Sequence, residues 1–402
     1  MKYFRARAAS CLAHLLAAAA AAAPVTAEDA IVIPQGTGPY RSSLMISALV
    51  DDSRPDPFNA SHVRRIMVSR FEPVSRDCHL VQVPYFPPVT AALESEILGS
   101  YEYPKGNLDR FVLEMCEADK QGYPKEGKYG SGSGGAGGGK GKFPLAIYSP
   151  GLNTTRLFGS LIAQELASHG LTVITVDHPY DVDIVEFPNG DIIFGGRVEK
   201  PTANSSASVE HALEVRSQDV SFLLDTLGIE QGDDVVMFGQ SFGGAATATS
   251  MFNDRRIRAG VNIDGIMFGP VLHAPLGSAS RNQSFVLWGS ELHLTDEDET
   301  WNTFWNALES SEYVDYKKEF AVKNTTHGSY WDLDALVDVA GIRDELTELA
   351  TYLVGPGPGL RHSEIVGKYL SSFFLFALGK QPEDPILQEP SEEFPEVVLM
   401  RS

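Results

Sequence analysis

The residues most able to do chemistry stand at the centre of the chain, in Gly239-Gln240-Ser241-Phe242-Gly243. The apolar run 235–238 precedes them and Gly244-Ala245-Ala246 follows. A serine hydroxyl attacks a carbonyl only when it is lifted clear of its surroundings and given a base. The Gly-x-Ser-x-Gly spacing suits a sharp strand-to-helix turn, which has no room for side chains on either flank. The small residues at 244–246 let the following helix press onto the strand. Ser241 is therefore the candidate nucleophile. Its base must be a histidine, oriented by an acid, in the chain order Ser, acid, His. His327, in Lys323-Asn324-Thr325-Thr326-His327-Gly328, follows the last predicted strand of the alternating region and fits that order. His273 and His293 precede that strand, and His362 lies in a Pro/Gly-rich link. Two acids remain open on position alone: Asp264, which ends the strand after the nucleophile helix, and Glu291, which ends the next one. An oxyanion hole needs two backbone N–H groups. The spacing offers Phe242, next to the nucleophile, and Leu152, in the turn Ser149-Pro150-Gly151-Leu152-Asn153.

The elements that must hold these residues alternate from residue 143 onward. Apolar strands are predicted at 143–149, 171–176, 234–238, 259–263, 284–288 and 316–322, with helical periodicity between them, as in the long amphipathic stretch 208–227. This βαβα alternation predicts an α/β fold with a mostly parallel central sheet and helices on both faces. Residues 38–125 read as extended and irregular, with strands at 44–50 and 62–71. Residues 127–142 are a Gly-rich surface insert. It mimics a P-loop and a dinucleotide fingerprint, but it neither follows a strand nor opens a helix. Residues 183–194 read as a hairpin turning at Asn189-Gly190, from which Phe187, Ile192 and Phe194 either line an acyl channel or pack on the body as the apolar side of a surface hairpin. The expected organisation is one domain over 28–380, with a tail at 381–402.

Residues 1–27 read as a cleavable secretory signal: Lys2, Arg5 and Arg7, then an Ala-rich apolar run, then small residues before the cut. The expected location is secreted and extracellular. The net charge of −21 becomes −24 once those three cations leave, a surface that repels nucleic acid and anionic membranes. Beyond residue 27 the cysteines are Cys78 and Cys116, which in an oxidising compartment predicts one disulfide. Asn59, Asn204, Asn282 and Asn324 begin candidate glycosylation sequons, as does Asn153, whose place in the oxyanion turn argues against modification. No spacing suits a metal site, and neither cofactor nor obligate protein partner is expected.

These residues resemble the platelet-activating-factor acetylhydrolases of the plasma and type II intracellular group. Gly-Gln-Ser241-Phe-Gly-Gly is similar to that family's Gly-His-Ser-Phe-Gly-Gly, and Ser149-Pro150-Gly151-Leu152-Asn153 is similar to its Ser-His-Gly-Leu-Gly. Gly38-Pro39-Tyr40 and Leu166-Ala167-Ser168-His169-Gly170 look familial too. The resemblance runs from about residue 38 to 378, dense around the site and thin elsewhere. It implies an α/β-hydrolase with Asp264 as the acid, His327 as the base and short-acyl phospholipid esters as substrates, met in transient contact with a lipid interface. Trp331, Leu333, Leu336 and Val337 are the expected docking residues, whereas the apolar block 369–378 reads as a buried helix. Gln240 and Pro150 depart from the family pattern, each standing where the family has His. They keep a broader carboxylesterase, lipase or cutinase-like enzyme open as the alternative. A non-catalytic binding protein on the same fold is the remaining reading.

Overall fold

The computed structural model describes residues 29–117, 143–202, 205–293 and 298–402. The expected signal, the Gly-rich insert and the sequon at Asn204 lie outside these residues.

The chain begins with β1 (Ile31–Ile33), β2 (Arg41–Pro55), β3 (Val63–Val74), β4 (Leu80–Pro84), helix α1 (Pro88–Gly99) and β5 (Phe111–Cys116). Next come β6 (Leu145–Ser149), α2 (Ser160–Ser168), β7 (Thr172–Asp177) and the small hairpin β8 (Ile184–Glu186) and β9 (Ile192–Phe194). Helix α3 (Ala207–Thr226), β10 (Val235–Gln240), α4 (Phe242–Asn253), β11 (Ile257–Ile263) and β12 (Gln283–Ser290) follow. The last part holds α5 (Glu299–Glu309), β13 (Val314–Val322), α6 (Asp332–Ala340), α7 (Glu348–Val354), α8 (Gly359–Ala377) and β14 (Val397–Arg401).

Among the described residues twelve strands form one sheet in the order β1-β5-β2-β3-β7-β6-β10-β11-β12-β13-β14, with β4 beside β5. From β7 to β13 every neighbouring pair is parallel. Antiparallel strands flank this centre: β3 against β7 and β14 against β13. Buried on both faces, the central strands read as continuous apolar runs, which is why the sequence located them. Along β10, Val235 and Met237 enter one core while Val236 and Phe238 enter the other. One core is closed by α2, α6 and α8, the other by α3, α4 and α5. In α8, Phe373 and Phe374 are buried, each contributing about 2–3 kcal/mol by removal from water.

Two expectations need correction. The described part of the stretch 38–125, up to residue 117, is largely regular: it supplies β2 to β5 and α1. Its longest strand is buried only in patches, so it lacks the clean alternation that marks a strand in sequence. Residues 381–402 are not a free tail, because Val397 and Phe394 are buried and β14 completes the sheet edge. A disulfide joins Cys78 and Cys116, whose Cα atoms are 5.5 Å apart.

Candidate active site

β10 ends at Gln240, α4 starts at Phe242, and Ser241 is the whole of the turn between them. Its backbone sits at φ 56° and ψ −123°, a region a side-chain-bearing residue enters only at a cost of about 1–3 kcal/mol. The flanking glycines make this turn possible. A Cβ on Gly239 would lie 2.2 Å from the Gly243 carbonyl carbon, and one on Gly243 would lie 1.9 Å from the Ser149 oxygen. The Ser241 N–H is anchored to the Ile263 carbonyl at 2.7 Å. Phe242 opens α4, so its N–H has no partner within the helix and joins the positive end of the helix dipole.

Asp264 follows β11 and also has positive φ, 58°. Its Oδ2 accepts from His327 Nδ1 at 2.6 Å, and its Oδ1 accepts from the Ser290 N–H at 2.6 Å. Burial alone would raise the Asp264 pKa. Hydrogen bonds from His293 and His327 outweigh it and hold the carboxyl well below the ordinary carboxylate range. Glu291 takes another partner, accepting from the Asn324 N–H at 3.0 Å. His327 opens a short 3₁₀ turn just past β13, capped by Thr326 and Ser329. The Gln240 side-chain amide donates to its Nε2 at 3.2 Å. With Nδ1 donating to Asp264, Nε2 is the unprotonated nitrogen, the tautomer a general base needs, and its lone pair accepts from Gln240 here. His362 lies elsewhere, buried against Asp334 at 2.8 Å, and His273 is exposed.

Ser241, Phe242, Asp264, His327 and Leu152 line one cavity of about 1180 Å³. The Leu152 turn is held from beneath by Arg216, a residue that sequence reasoning missed. Its guanidinium donates to the Pro150 carbonyl, to the Gly151 carbonyl at 3.2 Å and to Ser149 Oγ at 3.0 Å. Arg216 is in turn clamped by both oxygens of Asp181. A basic residue on the buried face of a predicted amphipathic helix is the signal that marks it.

The cavity wall departs from expectation. Phe187, Ile192 and Phe194 are not among its lining residues. Phe187 instead packs with Val185 and Ile193 into a small separate core, beneath the Arg65 guanidinium at 4.1 Å. The hairpin turns as expected, with Gly190 at φ 86°. The wall comes from α1, through Ile97 and Leu98, and from Phe158 stacked on Trp331 at 6.0 Å between ring centroids. Leu333, Leu336 and Val337 are fully buried and present no docking surface. The exposed apolar residues around the cavity are Tyr101, Ile266, Leu292 and Tyr352, at 43%, 51%, 74% and 75% exposure. Asn324 is exposed, Asn59 donates its amide to the Tyr180 hydroxyl at 2.9 Å, and Asn282 donates to Asp315 at 2.6 Å.

A serine on such an elbow, at the carboxyl end of a central parallel strand, belongs to the α/β-hydrolase fold, and the chain is an ester hydrolase. A solved ferulic acid esterase from Streptomyces cinnamoneus shares that fold, with a TM-score of 0.69 over 92% of this chain and 99% of its own, at 24% identity. The chain belongs to the platelet-activating factor acetylhydrolase family. It is 37% identical over 380 residues to a probable 1-alkyl-2-acetylglycerophosphocholine esterase of Arthroderma benhamiae, covering 92% of this chain and 94% of that one. The family model described as platelet-activating factor acetylhydrolase, isoform II, matches residues 133–185. The platelet-activating factor acetylhydrolase of Bos taurus is 30% identical over 161 residues, 32% of this chain and 36% of its own length.

Proposed function

We propose that this chain is a secreted serine ester hydrolase that releases short acyl groups from phospholipids of the 1-alkyl-2-acetylglycerophosphocholine kind. The observation that carries the reading is the 2.6 Å contact of Asp264 with His327 in the same cavity as the Ser241 elbow. Ser241 Oγ attacks the ester carbonyl while His327 Nε2 takes its proton and passes it to the leaving alcohol. Water then repeats the sequence on the acyl-enzyme. Asp264 orients the imidazole and stabilises its charged form. The N–H groups of Leu152 and Phe242 hold the oxyanion. Support for the lipid class comes from the relative's name and from the apolar rim of Tyr101, Ile266, Leu292 and Tyr352. The acidic surface suits a zwitterionic interface better than an anionic one. Secretion rests on the signal-like residues 1–27, and glycans at Asn59, Asn204, Asn282 and Asn324 would follow from it.

Ser241→Ala should lower kcat/KM by about 10⁴-fold or more and abolish fluorophosphonate labelling. Retained hydrolysis, or full loss in EDTA, would refute the mechanism. Asp264→Asn should cripple the enzyme where Glu291→Gln does not. A broader esterase is the second reading, favoured by a cavity larger than the usual ligand pocket of about 300–1,000 Å³. Kinetics on acetyl-phospholipid, long-chain phosphatidylcholine, p-nitrophenyl esters and polyester decide between them. Turnover of bulky or polymeric esters with none of the acetyl-phospholipid would remove the lipid assignment.

A further inference from the structure

Asp264 serves two imidazoles. While its Oδ2 accepts from His327, its Oδ1 lies 3.3 Å from Nδ1 of His293. The other nitrogen of His293, Nε2, lies 2.8 Å from Oδ2 of Asp298. His293 sits in the turn after β12, its N–H bonded to the Ser290 carbonyl, and its ring lies 4.3 Å from the Trp301 ring. Trp301 donates to the Gly265 carbonyl at 2.7 Å, next to Asp264. Asp298 is itself fixed, with Oδ1 accepting from the Thr300 N–H at 2.8 Å and from the Thr300 hydroxyl at 2.7 Å. The result is a connected line from the start of α5 to the base: Thr300, Asp298, His293, Asp264, His327.

We infer that His293 is a positioning residue that clamps Asp264 through the oxygen His327 does not use. An imidazole with a carboxylate on each nitrogen donates from both, so it carries a charge. Burial opposes that charge, but the bonds to Asp264 and Asp298 outweigh it and raise the His293 pKa to about 9. The clamp has two effects. It holds the Asp264 carboxyl in the plane that meets His327, which the single Ser290 N–H does not fix alone. It also places a cation behind Asp264, opposing a second positive charge on the Asp264–His327 pair. Among the described residues, the groups facing His293 are Asp264 from the end of β11, Asp298 and Glu299 from the start of α5, and His327 across Asp264. The balance is acidic, so the charge on His293 is held rather than repelled.

The inference rests on the serine-hydrolase reading, and the experiment separates the two. Wild type, Ser241→Ala, His293→Gln and Asp298→Asn are compared as full chains on p-nitrophenyl acetate across pH, with fluorophosphonate labelling and thermal melting alongside. His293→Gln should lower kcat about tenfold with KM within twofold. The acid limb of its kcat/KM profile should move about one unit to higher pH, because protonating the base no longer meets a nearby cation. Asp298→Asn, which removes an anion together with one bond to His293, should not move the limb to higher pH, and His293→Lys, which restores a cation, should bring the His293→Gln shift part of the way back. A His293→Gln profile that superimposes on wild type overturns the inference, as does a uniform loss of kcat at every pH. If His293→Gln does not fold, the same profile is read on His293→Asn, where an unmoved limb overturns it equally. Hydrolysis retained by Ser241→Ala would instead bring down the mechanism on which the inference stands.

Discussion

The side chain of Gln240 is bonded to His327 twice over, its amide nitrogen lying 3.2 Å from Nε2 and 3.3 Å from the backbone carbonyl. The other end of the amide, Oε1, is buried and finds no partner among the described residues. An unmet buried acceptor costs about 1–3 kcal/mol. Gln240→Met keeps the shape and removes that cost. Its melting temperature should equal or exceed wild type, while kcat/KM falls because the imidazole has lost an anchor. A melting temperature well below wild type would show the amide to be a net stabiliser.

The Cys78–Cys116 bond closes a loop with a sequence separation of 38 and staples the edge where β4, β5 and β2 meet. By chain entropy such a bond stabilises by about 4 kcal/mol. Cys78→Ser with Cys116→Ser should lower the denaturation midpoint accordingly and leave kcat untouched. Two titratable thiols in the unreduced, denatured protein would contradict the pairing.

Glu94 and Asp183 both face the cavity. Burial raises the Asp183 pKa from 3.8 to about 7. Burial, then the charges of Asp183 and Asp177, raise Glu94. The folded chain thus holds protons that the unfolded chain releases. This contribution is fully present below the unfolded values of 3.8 and 4.5 and is lost as pH rises through about 7. Asp183→Asn removes the loss, so its gain in melting temperature over wild type should be larger at about pH 8 than at about pH 4. Equal gains at both would contradict the assignment.

The apolar rim gives a surface test. Replacing Leu292 and Tyr352 together by Ser should reduce turnover of vesicle-borne acetyl-phospholipid at least about fivefold and leave p-nitrophenyl acetate unchanged. Equal loss on both substrates would place these residues in the site rather than at an interface.

What the sequence made legible was what is local. The Ser241 elbow announces itself because strand, glycines and helix are contiguous, and the central parallel strands do so because most carry an apolar run, though β13 does so only in its second half. On position alone Asp264 could be narrowed only to a pair with Glu291, and it took the family resemblance to choose it, since a carboxylate at a strand end looks the same whether or not an imidazole waits beside it. The link from His293 to Asp264 and the Arg216 clamp join residues far apart in the chain, and no spacing records them. The docking expectation at 331–337 failed for a related reason. Periodicity shows that Leu333, Leu336 and Val337 share a face, but not that α8 covers it. The hairpin residues were placed by sheet direction alone, which fixes the end of the sheet and not the neighbour a side chain meets.

β13 leads directly into the loop of His327, and it is flanked on its outer side by β14, laid down far later in the chain. The Lys323 N–H, just beyond β13, bonds to the Glu396 carbonyl at 2.9 Å. During synthesis the nucleophile and acid emerge well before the segment that braces the base. A chain that already contains Ser241, Asp264 and His327 but not residues 394–401 therefore still lacks the strand that braces the loop of its base.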